Sequence, residues 1–84
     1  MIQKPNNHKD LVWHFIDPEN PKSFPKTKEY ILLSFLNYPL PVVGRCEGDE
    51  DEGFSFYSGD DAQPLAEVGA FVNAWMPLPE RAEE

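Results

Sequence analysis

Carboxylates are the most concentrated chemical groups of this chain. Seven of them fall within the fifteen positions from Glu47 to Asp61, and no basic residue lies among them. Carboxylates bind metal cations, transfer protons in acid–base catalysis, or attract Lys/Arg-rich protein surfaces. Their simplest use is to keep a loop solvated and a strand edge unpaired. The seven are Glu47, Asp49, Glu50, Asp51, Glu52, Asp60 and Asp61.

The spacing of these carboxylates does not fit a calcium loop. Such a loop requires oxygen ligands at positions 1, 3, 5 and 12 and Gly at position 6. Counted from Glu47, position 6 is Glu52 and position 12 is Ser58; counted from Asp49, position 5 is Gly53. Neither register supplies the required ligands. We therefore expect no calcium site.

Other catalytic and metal-binding arrangements are equally weak. His8, His14 and Cys46 are too few and wrongly spaced for a zinc site. Clustered like charges without a basic or apolar setting offer no way to separate their pKa values into an acid and a base. The sequence therefore predicts a protein that is not an enzyme and that needs no metal or cofactor.

Three further side chains are candidates for anchoring a partner: Tyr38, Leu40 and Tyr57. Tyr38 and Leu40 lie in a proline-containing connection, and Tyr57 lies on the more polar face of a predicted strand. Large side chains in such places either complete the core or contact another protein. Together with the seven carboxylates, they make up the predicted partner-binding residues.

The net charge of −8 is distributed unevenly. Residues 1–28 carry a balance of +2 and residues 29–84 a balance of −10. Nucleic acids and anionic membranes are bound through Lys and Arg, so direct binding to either is disfavoured. A Lys/Arg-rich protein, such as a host nucleic-acid-binding protein, is the expected partner. The single cysteine excludes an intramolecular disulfide, and we expect a soluble protein of the bacterial cytoplasm.

The elements that position these residues are predicted to be mainly β. Alternating apolar residues indicate strands over 30–37, 42–47, 54–57 and 70–75, with one short helix between Gly59 and Gly69. The short connections favour an antiparallel sheet of about four strands. Apolar residues on both faces of 30–37 predict an interior strand that is covered on two sides. In 70–75, alternation places Phe71 and Trp75 on one face and Val72 on the other.

The chain is predicted to form one small domain. Residues 1–11 are expected to be a flexible arm, 12–80 the folded domain and 81–84 a tail. Pro77 and Pro79 follow an apolar run, so the last strand should leave the sheet there as an extended segment. Trp13 and Trp75 are expected in the core, together with Phe54, Phe56, Phe71 and Met76.

The ending Trp75-Met-Pro-Leu-Pro-Glu80 resembles the closing signature of a family of small phage and prophage domains, domain of unknown function 551. The similarity extends over roughly residues 13–80, although only this ending is specific. Asn73-Ala74 stands where many relatives carry a Thr-His pair. The resemblance implies a viral or prophage origin and carries over no catalytic residue.

Two functions are compatible with these observations. The first is an acidic protein-binding module that inhibits a host nucleic-acid-handling or defence complex through an anionic face, in the manner of DNA-mimicking anti-CRISPR proteins. The second is an accessory or structural phage protein, as a monomer or as a small oligomer, with no inhibitory role. The target and the oligomeric state are left open by the sequence.

Overall fold

A computed structural model describes residues 11–80 of the chain. Its architecture is one antiparallel sheet of five strands in the order β1-β5-β2-β3-β4. The strands are β1 (His14–Phe15), β2 (Ile31–Phe35), β3 (Val42–Asp49), β4 (Gly53–Ser58) and β5 (Val72–Pro77), and two 3-10 turns cover Pro21–Ser23 and Leu65–Val68. The predicted arm (1–11) and tail (81–84) lie outside the described residues, except for Leu11.

The predicted mainly β, antiparallel fold is confirmed, with one strand more than the expected four. The additional strand, β1, has only two residues and pairs with β5 at Trp75 and Ala74. Two residues are too short for a periodic pattern to reveal. The short helix expected between Gly59 and Gly69 is the four-residue 3-10 turn. It begins after Pro64 and ends at Gly69, whose φ of 82° lies in the left-handed region.

The core lies on one face of the sheet and is centred on β2. Ile31, Leu33 and Phe35 are buried on that face, and Leu65 of the second 3-10 turn packs against them. Alternate residues of a strand share a face, so these three form one continuous apolar row. Half-buried side chains complete the cluster: Val42, Phe56, Ala70, Val72 and Trp75.

A β-bulge in β5 changes the predicted alternation of that strand. Ser34 lies opposite Ala74, but Phe35 lies opposite Val72, so Asn73 is an extra residue in the ladder. An extra residue shifts the alternation by one position. Val72 therefore shares the core face with Trp75, and Phe71 is exposed. The prediction that Phe71 and Trp75 share a face, with Val72 opposite, is wrong for this reason.

Trp75 connects the core to the segment that covers it. Its indole stacks on His14 with ring centroids 4.5 Å apart, and its Nε1 donates to the carbonyl of Ser23 at 2.9 Å. Phe24, the next residue, stacks on Phe54 at 4.4 Å between ring centroids. Aromatic pairs of this kind stabilise beyond their buried area. The connection between β1 and β2 is thereby held over the core face of the sheet.

Strand β5 also continues further than its prolines suggested. Pro77 lies opposite Ile31 and is still part of the strand. The predicted strand 70–75 therefore ends two residues too early. The neighbouring strand β1 pairs only with Ala74 and Trp75, so Pro77 lies at the strand end, where proline is tolerated.

We expect Gly44→Ala to destabilise the domain strongly. A Cβ at Gly44 would overlap the main-chain carbonyl of Tyr57 and would lie 2.6 Å from Cδ1 of Leu33. Overpacking against main chain cannot be relieved by a rotamer change, and a loss of about 3 kcal/mol is expected. Urea unfolding measures it. Gly59→Ala is the control: its Cβ meets nothing within 4 Å, so only the left-handed φ costs about 1 kcal/mol. Equal losses in the two variants would contradict close packing at Gly44.

Candidate functional site

Asp49 stabilises the β3–β4 turn that carries the other acidic residues. Oδ1 of Asp49 accepts hydrogen bonds from the main-chain N–H groups of Asp51 (3.0 Å) and Glu52 (2.8 Å). Asp side chains commonly close turns in this way. Asp49 therefore has a structural role. Glu50, Asp51 and Glu52 are exposed at the tip, and we call these three residues the acidic turn.

The remaining carboxylates lie elsewhere. Asp60 and Asp61 follow the other end of β4, and a six-residue strand spans roughly 20 Å. Glu47 lies within β3, opposite Ser55. The structure thus separates the seven predicted carboxylates into the turn beyond one end of β4 and a second group near Arg45. They do not form one continuous anionic cluster.

Arg45 organises that second group. Its Nε donates to Oε2 of Glu47 at 2.6 Å, and its Nη1 and Nη2 donate to the main-chain carbonyls of Gly59 (2.5 Å) and Asp61 (2.9 Å). The guanidinium also lies 4.6 Å from the ring centroid of Tyr57, a cation–π distance. The hydrogen bond with Glu47 raises the pKa of Arg45 above its ordinary value. One cation therefore holds the 59–61 loop against the sheet.

Tyr30 contributes the other contact of this group. Its hydroxyl donates to Oδ1 of Asp60. This hydrogen bond, together with the charge of Asp60, raises the pKa of Tyr30 above its ordinary value, because removing the phenolic proton would leave two negative oxygens in contact. Tyr30 and Arg45 thus connect Asp60 and the main chain of the loop to the same side of the sheet.

That side of the sheet, opposite the core, carries an exposed apolar surface. Leu32 lies opposite Val43 on β3 and opposite Met76 on β5. Phe15 lies on the same side, because it faces Ala74, which in turn faces Ser34. Phe15 is 70% exposed and Val43 is 45% exposed. We call this surface the open face; its residues are Phe15, Tyr30, Leu32, Val43 and Met76.

The open face corrects one prediction and supplies residues that the prediction of the site missed. Strand β2 is an interior strand of the sheet, as expected, but apart from the 59–61 loop the described elements that cover the sheet lie on its core side. The apolar residues on both faces of 30–37 were the available signal. They predict cover on two sides, whereas on the face that carries Leu32 the described cover is the 59–61 loop over Tyr30 and Arg45.

The three apolar candidates do not form one surface. Tyr57 packs beneath Arg45, whereas Tyr38 and Leu40 lie in the β2–β3 connection, where both are exposed. Asn37 joins that connection to the segment before β5: its Nδ2 donates to the carbonyl of Gly69 (2.6 Å), and its Oδ1 accepts from the N–H of Phe71 (3.2 Å). We call the exposed apolar surface around this junction the loop patch. It consists of Leu36, Tyr38, Leu40, Val68 and Phe71.

Among residues 11–80, no group of three or more His, Cys, Asp or Glu side chains is arranged to hold a metal ion. Cys46 has no exposed surface, and burial, with a smaller effect of the charge of Glu47, raises its pKa to about 12. No helix in this range is long and apolar enough to cross a membrane.

Comparisons with family models, with curated proteins and with solved structures find no match. The resemblance of the Trp75–Glu80 ending to the phage domain family therefore stays a hypothesis that rests on those residues alone. The functional argument depends on the surfaces of the molecule.

We expect Arg45→Ala to loosen the 59–61 loop and to lower the melting temperature. The variant loses the hydrogen bonds to Glu47, Gly59 and Asp61. Arg45→Lys should fall between wild type and Arg45→Ala, because an ammonium keeps the charge but cannot reproduce the planar fork. Thermal unfolding gives the order, and NMR shifts of Gly59 and Asp61 report on the loop. Unchanged loop shifts in Arg45→Ala would show that the arginine does not hold the loop.

We expect Cys46 to resist iodoacetamide at pH 8 in the native protein and to react quickly in urea. The thiolate is the reactive form, and a pKa raised from 9.0 to about 12 leaves almost none of it. Because the folded pKa is the higher one, the contribution of this group to stability is complete below pH 9 and is lost as the pH rises toward 12. Mass spectrometry measures the labelling. Fast modification without denaturant would show that the thiol is accessible.

Proposed function

We propose that this protein is a protein-binding module that presents the open face, with neighbouring carboxylates, to a Lys/Arg-rich surface of another protein. The observation that carries the proposal is the exposure of Phe15 and Val43 beside half-buried Leu32 and Met76 on one sheet face. The exposed face of a one-sided antiparallel sheet is ordinarily polar. Contiguous apolar surface rimmed by polar groups is typical of an interaction site.

The rim of the open face supports a basic partner. At its β3–β4 side, Glu47 pairs with Arg45, Asp60 accepts from Tyr30, and Asp61 lies in the loop that Arg45 holds. The whole chain carries a net charge of −8. An apolar centre contributes affinity through burial, whereas a charged rim mainly accelerates association and selects the partner. A Lys/Arg-rich surface that surrounds an apolar patch complements both parts.

The most concrete form of this proposal is an inhibitor that occupies the basic groove of a host nucleic-acid-handling or defence complex. Such grooves combine positive charge with apolar contacts to bases and sugars. Small size and strong acidity suit a protein that replaces nucleic acid there. A phage or prophage setting is supported only by the resemblance of the Trp75–Glu80 ending.

The alternative is an accessory or structural protein that oligomerises through the open face. The same apolar residues favour it, because a second copy would cover them. Charge opposes it, since two copies of −8 repel each other at low salt. Light scattering coupled to size exclusion distinguishes the two: a dimer that dissociates when the open face is altered would support this alternative.

We expect a double variant of the open face, Phe15→Ser with Val43→Thr, to lose its partner while it keeps its fold. Both side chains are exposed, and threonine preserves the β-branched shape of valine. The matched control is Leu36→Ser with Leu40→Ser, which removes comparable apolar surface from the loop patch. Cross-linked proteins captured from a lysate of the organism that carries the gene are compared for wild type, variant and control.

The proposal requires more than capture of a protein. The partner recovered by wild type and control must be absent with the open-face variant, must bind more slowly as salt rises, and must be displaced by DNA or RNA if the groove mechanism holds. Equal recovery by both variants would remove the open face from the binding surface. A salt-dependent partner that nucleic acid does not displace would keep the binding module and refute inhibition by mimicry.

A further inference from the structure

The outer edge of β4 is free along much of its length. β4 is the last strand of the sheet and pairs with β3 on its other side. Among residues 11–80, an isolated bridge between Tyr57 and Pro64 meets the outer side, and the 3-10 turn that follows Pro64 also contacts β4. The edge from Gly53 to Ser55 therefore has no partner strand in the described structure. This part contains no proline, lysine or arginine, which are common protections of exposed edges.

The register shows which main-chain groups point outward from this edge. The carbonyl of Val43 accepts from the N–H of Gly59 (2.9 Å), so it points toward β4. Main-chain directions alternate along a strand, so Glu47, four residues later, points the same way. Glu47 lies opposite Ser55, which therefore bonds inward. It follows that the N–H and C=O groups of Phe54 and Phe56 point away from β3. Because Pro64 lacks an N–H, its bridge with Tyr57 is made by their neighbours, and the C=O of Phe56 accepts from the N–H of Leu65. The open outward groups are therefore the N–H and C=O of Phe54 and the N–H of Phe56.

A groove lies beside these outward groups. Its volume is about 200 Å³, and its walls come from β4 on one side and from the segments 64–66 and 70–72 on the other. Its largest apolar lining residues include Phe54, Phe56, Leu65 and Phe71. An extended chain added to β4 would place every second side chain on the core side of the sheet. One such side chain would enter the groove and extend the core.

Charge is concentrated at one end of the free edge. The acidic turn follows β3 and directly precedes Gly53, so its three carboxylates lie where an added strand would begin or end. A Lys or Arg at that end of the added strand would be attracted to them. The edge, the groove and the acidic turn together fit an extended segment that carries an apolar side chain and a Lys or Arg.

We propose that the free edge of β4 accepts a short extended segment of a partner protein as a sixth strand, with an apolar side chain in the groove and Lys or Arg beside the acidic turn. Main-chain hydrogen bonds to the N–H and C=O of Phe54 and to the N–H of Phe56 hold the segment, and the groove and turn select its sequence. The edge is a surface separate from the open face, so its use does not depend on the function proposed above.

A second copy of this chain is a poorer occupant. Two β4 edges related by a twofold axis pair antiparallel, which brings the acidic turn of each copy next to Asp60 and Asp61 of the other. Like charges so placed destabilise the pair. Pro64 also occupies the edge beyond Phe56 and limits the overlap. Charge thus favours a basic segment over self-pairing.

The test uses an array of end-blocked octapeptides in which Val and Thr alternate around one Leu. The peptides carry Lys-Lys, Glu-Glu or no charged pair at either end. We expect binding to the purified full chain by members with Lys-Lys at one end, and at least tenfold weaker binding by the Glu-Glu members, equivalent to about 1.4 kcal/mol. Failure of all members to bind, or equal binding by both charge types, overturns the proposal.

Amide exchange locates the bound peptide. We expect the best peptide to slow hydrogen exchange at Phe54 and Phe56, whereas Ser55, which already bonds to β3, should change little. N-methylation of one alternating set of peptide residues should abolish binding, and methylation of the other set should be tolerated. Tolerance of both sets, or protection confined to the open face, overturns strand addition. Slower exchange together with a dimeric mass identifies a second copy as the occupant and also overturns it.

The variant Glu50→Gln, Asp51→Asn, Glu52→Gln tests the charge and keeps Asp49, which closes the turn. We expect the Lys-Lys peptide to bind about tenfold more weakly to this variant at low salt, from the sum of several exposed ion pairs. The control, Glu19→Gln, Glu29→Gln, Glu67→Gln, removes equal charge elsewhere. Equal loss in both variants would assign the effect to net charge and would refute a specific role for the acidic turn.

Discussion

Burial of one face of β2 organises the whole domain. Ile31, Leu33 and Phe35 are at most 7% exposed, and the rest of the core packs against this row. The material that covers the row is short: the β1–β2 connection around Phe24 and one 3-10 turn at Leu65. A small chain forms a small core, and here the described chain suffices to cover one side of a five-stranded sheet. The open face and the free edge both follow from that limited cover.

The positions of the charged residues follow from the length of the β3–β4 hairpin. The acidic turn precedes β4 and Asp60–Asp61 follow it, so the two acidic groups lie beyond opposite ends of this strand. Near Asp61, two hydrogen bonds from Arg45, to the carbonyls of Gly59 and Asp61, fix the loop to the sheet. The two acidic groups therefore lie at different surfaces. Asp60 and Asp61 lie beside the open face, and the acidic turn lies at one end of the outer edge of β4.

The sequence was sufficient to predict the fold class and four of the strands, because alternation over several residues is a strong signal. It could not reveal β1, which has two residues, or the bulge at Asn73, which depends on how Ser34 and Phe35 pair with β5. The carboxylates are evident from the sequence. That they form two separate groups follows only when the length of the strand between them, β4, is taken into account. Arg45 was passed over because its three acceptors include two main-chain carbonyls that only the folded loop brings near. Apolar residues on both faces of β2 are the sequence signal for the open face, although this pattern predicts a strand that is covered on both sides.

Exposed apolar strands and free edges usually lead to self-association, and the acidity of this chain opposes that outcome. Each copy carries −8, and antiparallel pairing of two β4 edges would bring the acidic turn of each copy against Asp60 and Asp61 of the other. The same charges attract a Lys/Arg-rich protein. Negative charge thus makes exposed apolar surfaces tolerable in a small domain. It disfavours self-association and favours a Lys/Arg-rich partner. Solubility and recognition are therefore not competing explanations of the carboxylates, since one charge distribution provides both.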